Sequence, residues 1–331
     1  VYGASGHTGR FVVRELQRRG LVPIAVGRDE AALASSVPPG VEVRAAALDA
    51  AGALDRAFAG AAAVINCAGP FLDTAESVLQ AALRARIHYL DVTAEQASAL
   101  ALFDTRGAAA RAAGIVVVPA MGFYGGLGDL LASAATAGWD AVDELRIDIA
   151  LNAWWPTAGT RRTGERNTAT RLTVVGGRFT DLPHPAPRGQ HLFPAPFGAQ
   201  DVVELPFSET VVIARHLNVA NLHCYLNLAS LRDVRHAATP APVAVDQTGR
   251  SGQVFAVDVR ARGARGERRI TASGRDIYAF TAPLVVEALT RILAGQGMQS
   301  GVRAPGELFD AADFLAALDV DGFTVHLQPE A

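Results

Sequence analysis

At 331 residues, half of them hydrophobic and 19% charged, the chain has material for two packed domains and no composition that signals disorder. Its net charge of −3 gives no broad basic field for a polyanion, so nucleic-acid binding is not expected. All 30 basic residues are arginine, which removes Schiff-base lysines, a P-loop lysine and any Tyr-x-x-x-Lys pair from this chain. Cys67 and Cys224 are too few for a disulfide framework, and the eight histidines lack His-Glu-x-x-His spacing, so no metal is expected. Sparse thiols suit a reducing, cytoplasmic compartment. No long apolar run is free of charge, so no membrane span is expected. Val1 already lies in a strand pattern, which leaves a preceding segment open.

From residue 1 to 119, short β-branched runs alternate with longer Ala- and Leu-rich segments, the mark of repeated βαβ units. Strands are predicted at residues 1–2, 22–26, 41–45, 63–67, 88–90 and 115–118. Helices are predicted at 8–19, 30–35, 50–59, 74–85 and 95–113. Six strands with helical crossovers make a doubly wound parallel sheet, so the fold class is α/β with a Rossmann domain at the N-terminus. A glycine-rich turn and a helix over 127–137 then lead to a different pattern. Leu145, Ile147, Ile149 and Leu151 alternate with Glu144, Arg146, Asp148 and Ala150, as in a strand with one buried and one polar face. Residues 222–228 repeat the alternation, and 255–259 with 268–272 form a hairpin across residues 263–266. This second part reads as α+β with a largely antiparallel sheet. Five prolines in residues 181–198 predict an ordered loop. Helices over 281–293 and 307–318 end the chain. The expected domains are residues 1–122, 123–278 and a C-terminal segment, 279–331, that returns to the first.

Gly3, Gly6 and Gly9 recur at three-residue spacing between a strand and a helix. Gly3 permits a tight turn, Gly6 admits a pyrophosphate to the backbone, and Gly9 brings helix and strand together. Ser5, His7 and Thr8 share the turn, whose helix start offers unpaired N–H groups to the phosphates. An NAD site usually carries an acid at the end of the second strand, whereas this strand ends at Arg28. A guanidinium there suits a 2′-phosphate, so NADP(H) is expected ahead of NAD(H). Arg28 can equally be a solvated partner of Asp29 and Glu30. Asp49 is placed either to accept from the adenine amino group or to cap the next helix. Asn66, Ala68, Gly69 and Pro70 close the fourth strand, where small residues let backbone lie along the cofactor.

The opening Gly-Ala-Ser-Gly-His-Thr-Gly, the segment 66–71, the run 88–95, and Gly122-Phe123 with Asp129-Leu130 together resemble the saccharopine dehydrogenase-like oxidoreductases, a group that includes the trans-acting enoyl reductases. Residues 301–307 are similar to it as well. The resemblance implies an NAD(P)-dependent oxidoreductase with a small-molecule substrate on a second α/β domain, and often a homodimer. Two departures stand out. Ala94 occupies a position that is often Gly. Tyr124 and Leu127 stand where the group's pattern has Asp and Pro, which argues against saccharopine itself as substrate.

Hydride transfer asks for little beyond a held substrate and a proton donor or polarising group. Tyr124, in the turn after the sixth strand, is a candidate donor or a packing residue. Glu95 is a candidate acid or the cap of the helix that follows it. His216 is a candidate acid in the second domain, and Asp129 more naturally steadies the start of its own helix. Trp154-Trp155, followed by a helix start with Arg161 and Arg162, forms either an apolar wall with a donor cluster or core beside a solvated helix. Tyr278 lines the cleft or packs at the domain junction. The expected activity is NADPH-dependent reduction of a C=N, C=O or conjugated C=C bond. An NADP-binding sensor without turnover and an NADP-dependent isomerase are the alternatives.

Overall fold

The computed structural model describes residues 1–296 and 299–328. Strands β1 (Ile24–Gly27), β2 (Glu42–Ala45), β3 (Ala63–Asn66), β4 (His88–Asp91) and β5 (Val116–Val118) alternate with helices α1 (His7–Arg18), α2 (Glu30–Ser36), α3 (Ala53–Phe58), α4 (Phe71–Ala85) and α5 (Gln96–Ala113). The expected first strand contracts to Tyr2, which bridges in parallel to Val26 on one side and Asn66 on the other. The order is therefore β2-β1-Tyr2-β3-β4-β5. It reverses at Tyr2, and in such sheets the ligand crevice opens at the strands' carboxyl ends beside that point.

Beyond β5 come α6 (Gly128–Ala135), β6 (Val142–Leu151), α7 (Ala158–Arg166), β7 (Leu172–Val175), β8 (Arg178–Asp181), β9 (Arg188–Phe193) and β10 (Gly198–Glu204). They are followed by α8 (Ser208–Ala214), β11 (Val219–Asn227), α9 (Leu228–Arg235), β12 (Val254–Gly263) and β13 (Gly266–Arg275). Their sheet runs β13-β12-β6-β11-β10-β9, with β7 on β11 and β8 on β7. Only β6 and β11 are parallel neighbours among its described strands.

Two expectations change here. Residues 181–198 are not a loop, because β9 lies within them and pairs with β10 from Arg188 to Phe193. Its prolines flank the strand, and as an edge strand it loses no ladder bonds to them. The polar face of β6 is covered in part: Glu144 and Arg146 are half-buried, but Asp148 is fully buried. His191 on β9 folds over it, with Nδ1 3.2 Å from Asp148 and Nε2 2.7 Å from Asp258 on β12.

The chain ends with α10 (Ile277–Leu293), β14 (Gly301–Val302), α11 (Pro305–Leu308), α12 (Ala311–Ala316) and β15 (Thr324–Gln328). Helix α10 packs on α1 and β14 extends the parallel sheet beside β5, but β15 pairs with β13 in the other sheet. The segment thus joins both sheets rather than returning to one. The helix expected over 307–318 is divided where Asp310 turns to cap α12 through Asp313 N–H.

One hydrophobic cluster runs from Val12 and Leu16 of α1 through Phe280 and Leu284 of α10 to Ile147 and Val257 of the second sheet. A separate cluster around Val64, Leu79 and Tyr89 fills the other face of the parallel sheet. Phe280 is fully buried and stacks edge-on to Phe255 at 5.1 Å. We expect Phe280→Ala to lower the unfolding free energy by about 3–5 kcal/mol. Urea unfolding checks this, and because the cluster spans both sheets, fluorescence and circular dichroism should report one shared transition.

Candidate active site

The turn after Tyr2 is shaped by close approach. Gly3 sits at φ +80°, and a Cβ there would lie 2.9 Å from Ala68 Cβ. A Cβ on Gly9 would lie 2.2 Å from the Gly3 carbonyl oxygen, so only glycine lets α1 rest against the turn. Gly6 occupies the N-cap of α1 and supplies no side-chain cap, which leaves the first N–H groups of that helix to a ligand. Gly3, Ser5, Gly6, His7 and Thr8 all line a cavity of about 1410 Å³, whereas Gly9 lies behind them.

Arg28 lines the same cavity past the end of β1 and is exposed, with no hydrogen-bond or ion-pair partner among the described residues. Asp29 does not take it, because Asp29 accepts from Ala32 N–H at 2.9 Å as the cap of α2. Asp49 is exposed and is neither a helix cap nor a cavity residue; its neighbour Leu48 lines the wall, and the N-cap of α3 is Gly52.

Ala68, Gly69 and Pro70 line the cavity, but Asn66 does not. Its buried amide accepts from Ala68 N–H at 3.0 Å and donates to Thr74 Oγ1 at 3.2 Å, which fixes the loop from behind. Glu95 reaches the cavity wall, yet both its oxygens are committed. They accept from Phe71 N–H at 2.7 Å and Leu72 N–H at 3.1 Å, capping α4, the helix before it, rather than the helix that follows. Burial raises its pKa, and those two N–H groups oppose the rise.

Tyr124 stands at the far end of the cavity in the turn after β5. That turn requires Gly125, at φ +119°, where a Cβ would meet the Ala120 carbonyl oxygen at 2.4 Å. The Tyr124 ring lies 4.2 Å from Phe207 and 5.4 Å from Trp154 between centroids. Its hydroxyl is buried without a hydrogen-bond partner among the described residues. Burial drives the phenol pKa well above its ordinary value, so the proton stays on oxygen at neutral pH. Tyr278 also lines the chamber, its hydroxyl accepting from Trp154 Nε1 at 3.0 Å and bonded to Thr160 at 2.8 Å. Sequence reading missed Phe207 and Arg171, which come from strand ends without a recognisable motif. Arg171 donates to the Pro206 carbonyl at 2.6 Å and lies 4.6 Å over the Phe207 ring.

His216 is a correction. It does not line the cavity, and its Nε2 lies 2.6 Å from Asp129. Asp129 in turn accepts from Gly306 N–H at 2.7 Å, so the pair fastens α11 to the start of α6. Among the described residues no group of His, Cys, Asp or Glu is arranged to hold a metal, and no helix is long and apolar enough to cross a membrane.

Residues 1–118 match the family described as the saccharopine dehydrogenase NADP binding domain. The N-terminal domain belongs to that family. The match covers the first 118 of the 331 residues, the dinucleotide-binding part of the chain. Among solved structures, the saccharopine dehydrogenase (L-Glu forming) of Saccharomyces cerevisiae is 13% identical, with 98% of each chain covered and a TM-score of 0.68. An engineered D-amino acid dehydrogenase bound to NADP+ is 14% identical over 95% of this chain and 97% of that one, with a TM-score of 0.50. A mutant meso-dapdh of Clostridium tetani with DAP is 11% identical over 92% of each chain, also at 0.50. At these identities the likeness is one of fold. No curated protein matches the sequence.

Helix α6 is fastened to the C-terminal segment through a titratable pair. Burial pulls the His216 pKa down, but the Asp129 carboxylate more than offsets this and the net direction is up from 6.5. A raised folded-state pKa gives stability that is full below the unfolded value and is lost as pH rises through the folded one. Unfolding free energy measured by urea from about pH 6 to about pH 9 should therefore fall less steeply in His216→Gln than in the wild type. Parallel curves would show that the pair carries no such linkage.

Proposed function

We propose that the chain is an NADP(H)-dependent reductase of a C=N, C=O or conjugated C=C bond in a small organic molecule. The observation that carries this reading is one cavity lined by the cap-free start of α1, by the unpaired Arg28 and by Tyr124, whose buried hydroxyl has no partner among the described residues. The glycine turn fits a pyrophosphate and Arg28 fits a 2′-phosphate. NADP(H), when bound, supplies a hydride at nicotinamide C4. The chain's own task is to hold the acceptor carbon there and to stabilise the electron pair displaced onto the neighbouring nitrogen or oxygen. Tyr124 supports that role as a hydrogen-bond donor to the atom gaining charge. Its raised pKa keeps the phenol proton in place, so water delivers the proton that completes the reduction. We extend the reading to a homodimer in the cytoplasm, on the resemblance and the sparse thiols.

The engagement of Glu95 by α4 and of His216 by Asp129 favours one second reading, a sensor that binds NADP(H) without turnover, since neither is left as an acid for the cavity. Consumption of NADPH with any compound of a keto, imine and enoyl panel excludes the sensor, and tight binding with no consumption supports it.

Two measurements test the cofactor and the donor. NADPH should bind more tightly than NADH, and Arg28→Ala should weaken NADPH by about tenfold or more while leaving NADH within about twofold. Equal affinities in the wild type would overturn the NADP(H) assignment. Tyr124→Phe should lower kcat by about a hundredfold or more with NADPH affinity unchanged.

A further inference from the structure

Arg171, just before β7, is a half-buried cation. Its guanidinium lines the cavity beside the aromatic cluster, and burial pulls its pKa down. Its partners among the described residues are neutral: the Pro206 carbonyl and the face of Phe207. No carboxylate lies within ion-pair distance of it among the described residues. Glu209, the acid whose field reaches it, uses one oxygen to accept from Phe207 N–H at 2.9 Å and does not line the cavity. Arg235, exposed on the cavity wall, adds a second positive charge that Arg171 feels. A buried cation is normally matched by an anion, and the fork of a guanidinium matches a carboxylate in two hydrogen bonds.

Of the acids on the cavity wall, only Glu165 has no partner among the described residues. Three acids border the cavity: Asp73, Glu95 and Glu165. Asp73 pairs with Arg166, Glu95 caps α4, and Glu165 is exposed on α7. An ammonium group seated against Tyr124, Trp154 and Phe207 would gain cation–π contact with the rings but meet the two guanidiniums, a like-charge arrangement that disfavours it.

Resting on the reductase reading above, we infer that the substrate is an organic acid without an amino group. Its flat apolar body lies against Tyr124, Trp154 and Phe207, and its carboxylate pairs with Arg171. The aromatic rings bury such a body and offer edge and face contacts, and Tyr124 Oη then lies beside the bond that reacts. This differs from an amino-acid ligand, which needs an acceptor for its ammonium in the same chamber.

Calorimetric titration of the NADP+-loaded protein with four probes tests this: trans-cinnamate, phenylpyruvate, cinnamamide and L-phenylalanine. The two acids should bind at least about tenfold more tightly than cinnamamide, which lacks the charge, and than L-phenylalanine, which adds the ammonium. Arg171→Gln should remove the preference for the acids while leaving cinnamamide and NADP+ affinities unchanged, the last serving as the check on folding. L-phenylalanine binding as tightly as the acids, acids no tighter than cinnamamide, or no binding by either acid would overturn the inference from the wild type alone. Repeating the titrations without NADP+ separates this result from the reductase reading, because binding is read with no hydride transfer. A protein that selects the acids yet never consumes NADPH would fail the one and satisfy the other.

Discussion

Gly9 has no side chain, and α1 uses that space to rest on the carbonyl of Gly3, where a Cβ would lie only 2.2 Å from the oxygen. This contact sets the angle at which the helix leaves the sheet, and with it the direction of the uncapped N–H groups at its start. Because the order of strands reverses at Tyr2, those groups face the crevice at the sheet's carboxyl edge. Helix α10 then packs on α1, so the position of the second sheet is referred to the same contact. Moving α1 outward would disturb the phosphate turn, the shared core and the far end of the cavity together.

The cavity changes character along its length. At one end lie backbone N–H groups, a glycine turn and Arg28, suited to phosphates. At the other lie three stacked rings, an unpartnered phenol and an unmatched guanidinium. A polar group left without a partner in a buried place costs stability, and folding supplies no compensation for Tyr124 Oη within the described chain. Such a cost persists where a ligand meets it. Glu95 and His216 carry the opposite lesson, since both are ionisable, one buried and the other half-buried, and both are held by hydrogen bonds within the fold.

Candidate residues therefore divide by what holds them. Asn66 and Asp129 lie in the segments that carry the family resemblance, and both work behind the surface: Asn66 braces the loop at Ala68, and Asp129 binds Gly306 and His216. Tyr124, where the resembling pattern has an acid, lines the cavity, and its buried hydroxyl has no partner among the described residues.

The sequence by itself determined the parallel sheet, its helices and the glycine turn, because period-two and helical spacing and the demands on glycine are local and legible along the chain. It also determined that Arg28, and not an acid, ends the second strand of the Rossmann pattern. Tertiary structure decided the rest. Whether Glu95 faces a substrate or caps α4, whether residues 188–193 form a strand, and whether Asp148 is solvated depend on partners distant in the chain. The pairing of Arg171 with Pro206 and Phe207 is of the same kind: a hydrogen bond or ring contact across the fold leaves no periodic trace in sequence, since each partner is fixed by where its own element packs.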